Sequence, residues 1–145
     1  SDGKMAVNTV VDGYNIGMSG AWYPYDDYIV VNIGYQTLVY YKNNKKVFSS
    51  DVVTGIYDST PRGTFTIGYK ASGIYLSGTG YRAYVSYWMP FIRQEYGLHD
   101  ASWRSQFGGT IYKDNGSHGC INLPVSTAAY LFNNVISNYT KLIVE

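Results

Sequence analysis

Tyr28-Ile29-Val30-Val31-Asn32-Ile33-Gly34-Tyr35-Gln36-Thr37-Leu38-Val39-Tyr40-Tyr41 is two runs of β-branched and aromatic residues broken by a Gly-Tyr-Gln turn. Runs of this length and composition fit pleated, half-buried surfaces better than helices, so the stretch predicts a strand, a turn and a second strand. Working forward, Lys42-Asn43-Asn44-Lys45 is a hairpin turn, because Asn tolerates the left-handed conformation such turns need. Residues 47–54 alternate as a third strand closed by Gly55. Thr60-Pro61-Arg62-Gly63 is a further turn before a short strand at 64–67, and the Gly- and Ser-rich residues 71–80 predict a surface loop. Residues 84–91 are strand-like and aromatic, and Tyr96-Gly97-Leu98 leads into His99. Residues 100–117 read as irregular, with Gly108-Gly109 and Asn115-Gly116 as turn signals. After Pro124, the apolar residues Val125, Ala128, Leu131, Phe132, Val135 and Ile136 recur at helical spacing. Ser126 or Thr127 is a candidate cap at the start of that helix, and Asn138 stands near its end. Lys141-Leu142-Ile143-Val144 closes the chain as a strand. Working backward, residues 1–26 carry Gly13, Gly17, Gly20 and Pro24 with little periodicity and read as an extension or linker. The expectation is a mainly β domain over residues 27–145, with one C-terminal helix packed on it.

With 145 residues there is room for one domain and its core. The net charge of +1 is too weak to imply nucleic acid, and Lys45-Lys46 is the longest basic run. The single Cys excludes an internal disulfide framework and a Cys-rich zinc site. No stretch approaches the ~20 apolar residues of a membrane helix. The start at Ser1-Asp2-Gly3-Lys4 reads as trimmed, so it is silent on targeting. Seventeen tyrosines and three tryptophans stand out. Most are expected to face a β core. Some are candidates to line a groove for an extended peptide or sugar, since their rings are apolar and their tips polar.

Reactive residue types are scarce, and they cluster. Cys120, the only Cys, follows His118 by two residues in Ser117-His118-Gly119-Cys120-Ile121-Asn122, just before the predicted helix; the only other histidine, His99, lies upstream across a Gly-rich loop. An ordinary thiol is only a few per cent thiolate at neutral pH, so an imidazole that takes its proton activates it, and a helix N-terminus would help. Gly119 clears space beside the sulfur and makes the amides of His118, Gly119 and Cys120 candidate donors to an oxyanion. Three blander readings compete: Cys120 as a small buried hydrophobe, the histidines as structural hydrogen-bonders, or an incomplete metal site.

The block Ser117-His118-Gly119-Cys120-Ile121-Asn122, preceded by His99-Asp100, resembles the signature of the L,D-transpeptidase (YkuD-type) family. Thr60-Pro61-Arg62-Gly63-Thr64-Phe65 is similar to a family turn, and Gln36 sits where the first hairpin of relatives often has one. Tyr87-Trp88-Met89-Pro90-Phe91 and Asp100-Ala101-Ser102-Trp103 resemble the stretches flanking the family histidine. The likeness runs from about Tyr28 to Val144. It implies a mixed β-sandwich or barrel-like catalytic fold. Cys120 would be the acyl-accepting nucleophile and His99 its general base, with Asp100 orienting the loop, His118 the rival base and Gly119 beside the oxyanion. Substrate contacts would come from Tyr81, Trp88, Met89, Trp103, Ser117 and Asn122, although many relatives carry Arg at the position of Asn122. The implied reaction joins peptidoglycan stem peptides by 3→3 crosslinks with release of D-Ala, without metal or organic cofactor. Carbapenems would be inhibitors, and the domain would act as a monomer at the bacterial cell wall or surface. An L,D-carboxypeptidase and a non-catalytic wall-binding module are the alternatives.

Overall fold

Strands β1 (Val10–Val11), β2 (Tyr14–Ile16) and β3 (Trp22–Tyr23) form a small antiparallel sheet ahead of the main body. The computed structural model describes Val10, Val11, residues 14–16 and residues 22–145 except Asn44, Thr79 and Asn138, so the expected linker at 1–26 lies mostly outside the described residues. Two larger sheets follow. One has the order β6-β5-β4-β12-β7, from β4 (Asp27–Asn32), β5 (Thr37–Lys42), β6 (Lys45–Asp51), β7 (Gly63–Ile67) and β12 (Thr140–Val144). The other has the order β11-β10-β9-β8, from β8 (Ala71–Gly78), β9 (Tyr81–Ile92), β10 (Tyr96–Asp100) and β11 (Ile121–Leu123). The fold is mainly β, as the sequence predicts. Among the described residues no helix is long and apolar enough to cross a membrane.

Strand pleating explains the core. Alternate residues of β4 face opposite sides: Ile29 and Val31 join Leu38, Leu142 and Val144 against Met89, Leu98, Ile121 and Leu123 of the second sheet. Tyr28 and Val30 face the other way, into a second cluster with Val39, Tyr41, Ile143 and Tyr23. Tyr23 and Tyr25 cover that outer face, with rings 5.5 and 6.2 Å from Tyr28, so β4 is buried on both sides. Helix α2 (Val125–Asn134) seals one end of the first cluster through Ala128 and Leu131.

Four local expectations need correction. Residues 71–80 hold the edge strand β8: its ladder with β9 runs from Ala71↔Trp88 to Gly78↔Tyr81, and Gly and Ser are tolerated because most of the strand is solvent-facing. Residues 100–117 contain a short helix, α1 (Ile111–Asn115). Neither Ser126 nor Thr127 caps α2; Pro124 occupies the cap position with no side-chain bond, and the Thr127 hydroxyl pairs with Ser50 at 2.8 Å. Asn138 lies outside the described residues, and the helix ends at Asn134, with Val135 and Ile136 beyond it.

Candidate active site

Strands β10 and β11 run parallel, with Leu98 opposite Ile121 and His99 opposite Asn122. This register sets Cys120, which directly precedes β11, beside Gly97, two residues before His99 on the neighbouring strand. Cys120 and His99 both line one cleft of about 1190 Å³. The strand β11 separates Cys120 from α2, so the expected help from a helix N-terminus is absent: β11 intervenes between the thiol and the first turn.

The loop that presents Cys120 is held by the segment 53–60 packed against it. Val53 and Asn122 exchange backbone bonds at 3.0 and 2.8 Å, Ser117 N–H donates to the Thr54 carbonyl at 3.0 Å, and Ile56 N–H donates to the Ser117 carbonyl at 2.9 Å. Thr60 is the clamp. Its hydroxyl accepts from Gly55 N–H at 2.7 Å and donates to the Gly119 carbonyl at 2.8 Å. Behind it, fully buried Gln36 donates to the Thr54 hydroxyl at 2.7 Å and accepts from Thr54 N–H at 3.0 Å. Gly119 adopts φ +129°, and a Cβ there would come within 2.6 Å of the Tyr96 ring, so no other residue fits.

Burial sets the protonation states. It pushes the Cys120 thiol up to about 11, against the pull of a backbone hydrogen bond from Gly97. The sulfur lies 3.5 Å from the Glu95 carbonyl. At neutral pH the thiol therefore holds its proton, and nucleophilicity requires a base. His99, only 4% exposed, is held below its ordinary value of 6.5, chiefly by burial, and is neutral at pH 7. Its Nδ1 lies 2.8 Å from the Asp100 carbonyl. A carbonyl only accepts, so Nδ1 carries the hydrogen and Nε2 is the free basic nitrogen. The imidazole sits between Trp88 and Trp103, with ring centroids 6.0 and 5.9 Å away.

The remaining expected residues divide. His118 is exposed and stacks on Tyr81, with centroids 4.1 Å apart and planes 17° from parallel. Burial and the nearby Cys120 raise the Tyr81 phenol, which stays protonated at the cleft rim. Trp88 and Trp103 line the cleft, one buried and one half exposed. Met89 does not reach it: neighbouring residues on a strand face opposite sides, and Met89 is fully buried in the core. Asp100 meets His99 through its backbone carbonyl, while its carboxylate accepts from Ser86 and Tyr87 N–H at 2.8–3.1 Å and ties β9 to the end of β10. The Ser117 hydroxyl is turned to the loop itself, donating to the Cys120 carbonyl and accepting from Gly119 N–H at 3.0 Å. That bond removes the Gly119 amide from the oxyanion candidates and leaves His118 and Cys120. Asn122 is buried on the cleft wall with Oδ1 unpartnered. Among the described residues no group of three His, Cys, Asp or Glu side chains is placed to hold a metal ion. Thr60 and Arg104 are additions to the site: the sequence marks Thr60 only as part of a turn, and Arg104 belongs to no motif quoted from it. Met89→Ala should lower unfolding stability by about 2–5 kcal/mol, as buried methionines do, with KM unchanged; a raised KM at unchanged melting temperature would return Met89 to the cleft.

A family model described as the L,D-transpeptidase catalytic domain, YkuD, matches residues 26–144. Comparison with curated protein sequences found no match. Among solved structures, the chain is similar to an Enterococcus faecium L,D-transpeptidase in a cysteine-to-serine mutant, with 36% identity and a TM-score of 0.79 over 89% of this chain and 54% of that one. It thus spans about half the length of that relative. It is also similar to the E. faecium catalytic domain acylated by ertapenem, with 36% identity and a TM-score of 0.73 over 83% of this chain and 97% of that one. An L,D-transpeptidase from Mycobacterium smegmatis, 24% identical, shares the fold with a TM-score of 0.72 over 83% of this chain and 58% of that one.

Proposed function

The chain belongs to the L,D-transpeptidase family through its YkuD catalytic domain, and from that membership we propose that it forms 3→3 crosslinks between peptidoglycan stems by cysteine acyl transfer. The observation that carries this reading is a half-buried, protonated Cys120 in the same cleft as a neutral His99 whose bond to the Asp100 carbonyl leaves Nε2 free. His99 takes the thiol proton as sulfur attacks the carbonyl between the third residue and the terminal D-Ala. The tetrahedral oxyanion is met by the Cys120 or His118 amide. Collapse breaks the peptide bond, His99 returns the proton to the departing amine, and D-alanine leaves. The side-chain amine of a second stem then attacks the thioester, gives its proton to His99, and releases Cys120 as the thiol. The stems lie in the cell wall, so this reading also locates the domain at the bacterial surface. The acylated E. faecium relative supports a second element, that a carbapenem acylates Cys120.

Incubating the domain with a donor tetrapeptide and an amine-bearing acceptor should yield the crosslinked peptide as the main product, read by mass. The carbapenem adduct should be stoichiometric and vanish in Cys120→Ala. A dominant tripeptide at saturating acceptor would make the domain a carboxypeptidase, and an adduct surviving Cys120→Ala would remove the nucleophile assignment.

A further inference from the structure

Arg104 lies in the turn that follows His99, its N–H bonded to the Ala101 carbonyl at 3.1 Å, and its side chain lines the cleft of Cys120. One guanidinium nitrogen, Nη1, donates to the Asn115 carbonyl at 2.7 Å, which fixes the plane of the group. Its Nε is buried without a hydrogen-bond partner. The ion pairs among the described residues, Arg62–Asp58 and Arg93–Glu95, are both exposed and do not include Arg104. A buried donor is ordinarily matched, and this unmatched one belongs to a side chain that lines the cleft, where a ligand oxygen can complete it. The ligand a guanidinium matches is planar and anionic: two parallel N–H groups fit a carboxylate.

The charge of Arg104 also reaches His99, where it disfavours the imidazolium. Arg104 follows His99 by five residues through that turn and lines the same cleft, so it sits on the side of the base. In acyl transfer that is the leaving-group side, because the base must hand its proton to the departing amine. The departing residue is an amino acid whose carboxylate is two bonds from that amine. We propose that Arg104 is the carboxylate-binding residue of this cleft, and that it reads the C-terminal carboxylate of the donor stem. This assignment rests on the transpeptidase reading. Arg104 selects donors that end in a free carboxylate over those that are amidated or extended. It also aims the leaving amine at His99, so that the carboxylate arrives with its charge already matched.

The test uses two tetrapeptide stems that differ only at the terminus, carboxylate or carboxamide. In the Cys120→Ala protein, where no turnover intervenes, titration calorimetry should show the carboxylate stem binding about tenfold to a hundredfold more tightly. Arg104→Gln in the same background should bring the two within about twofold, and Arg104→Lys should restore part of the preference. Equal binding by the parent, or a preference that survives Arg104→Gln, overturns the assignment. The parent comparison needs no change at Arg104, so a misfolded variant does not spare the proposal. With Cys120 intact, equal release from both stems sinks the Arg104 assignment and leaves the transferase reading standing. Release from neither stem sinks both.

Discussion

His99→Ala is expected to slow acylation of Cys120 by about 10²–10⁴-fold at neutral pH, the range a positioned general base supplies. The size follows from the sulfur. With the thiol pushed up to about 11, roughly one molecule in ten thousand is thiolate at pH 7 without a base. The pH profile distinguishes this from simple misfolding. In the parent, His99 lies below its ordinary value, so acylation holds as pH falls through 6.5 and is lost only under more acidic conditions, when Nε2 is protonated. In His99→Ala, acylation should climb about tenfold per pH unit toward 11, because only free thiolate reacts. His118→Ala keeps its backbone amide and loses the stack on Tyr81, so it should retain measurable activity. Intact-mass time courses across pH decide the matter, and the opposite ranking of the two variants would make His118 the base.

Thr60→Val should be nearly as damaging, through a residue with no direct part in the reaction. Valine keeps the shape and removes the hydroxyl, which leaves Gly55 N–H and the Gly119 carbonyl without that partner in a buried setting. At about 1–3 kcal/mol for each unmatched group, the loss of stability is about 2–6 kcal/mol. Thr60→Ser, which keeps both bonds, should recover most of it. Chemical denaturation reads the stability, and acylation of the still-folded fraction reads the loop geometry. A Val variant with unchanged midpoint and rate would remove Thr60 from the frame.

Why some of this was legible in sequence and some was not has a physical pattern. Strands β4 and β5 announce themselves because both faces need apolar residues, and their runs are dense with Tyr, Val, Ile and Leu. The edge strand β8 is hidden, since most of it faces solvent and its conformation comes from pairing with β9. Helix α2 is visible in its periodicity, but its start is not, because the hydroxyl suited to capping is occupied by Ser50. Cys120 and His99 stand out by scarcity and by resemblance. Which of Trp88 and Met89 meets the cleft depends on which face of β9 turns outward, and a continuous aromatic run masks that phase. Thr60 and Arg104 act on groups far along the chain, where spacing carries no signal.

Strand β12 lies between β4 and β7, parallel to one and antiparallel to the other, although it comes after all the other strands of the domain in chain order. Before residues 140–144 leave the ribosome, β7 has no neighbour in its sheet and β4 has a bare edge. Leu142 and Val144 are missing from one apolar cluster and Ile143 from the other. A nascent chain can assemble the local hairpins of β4 to β6 as they emerge. It cannot seal either core until the final strand slots in, and such distant pairings form slowly. Emergence of β12 is thus the timing signal for the folding of this domain, and a chain that stops short of it stays open to degradation.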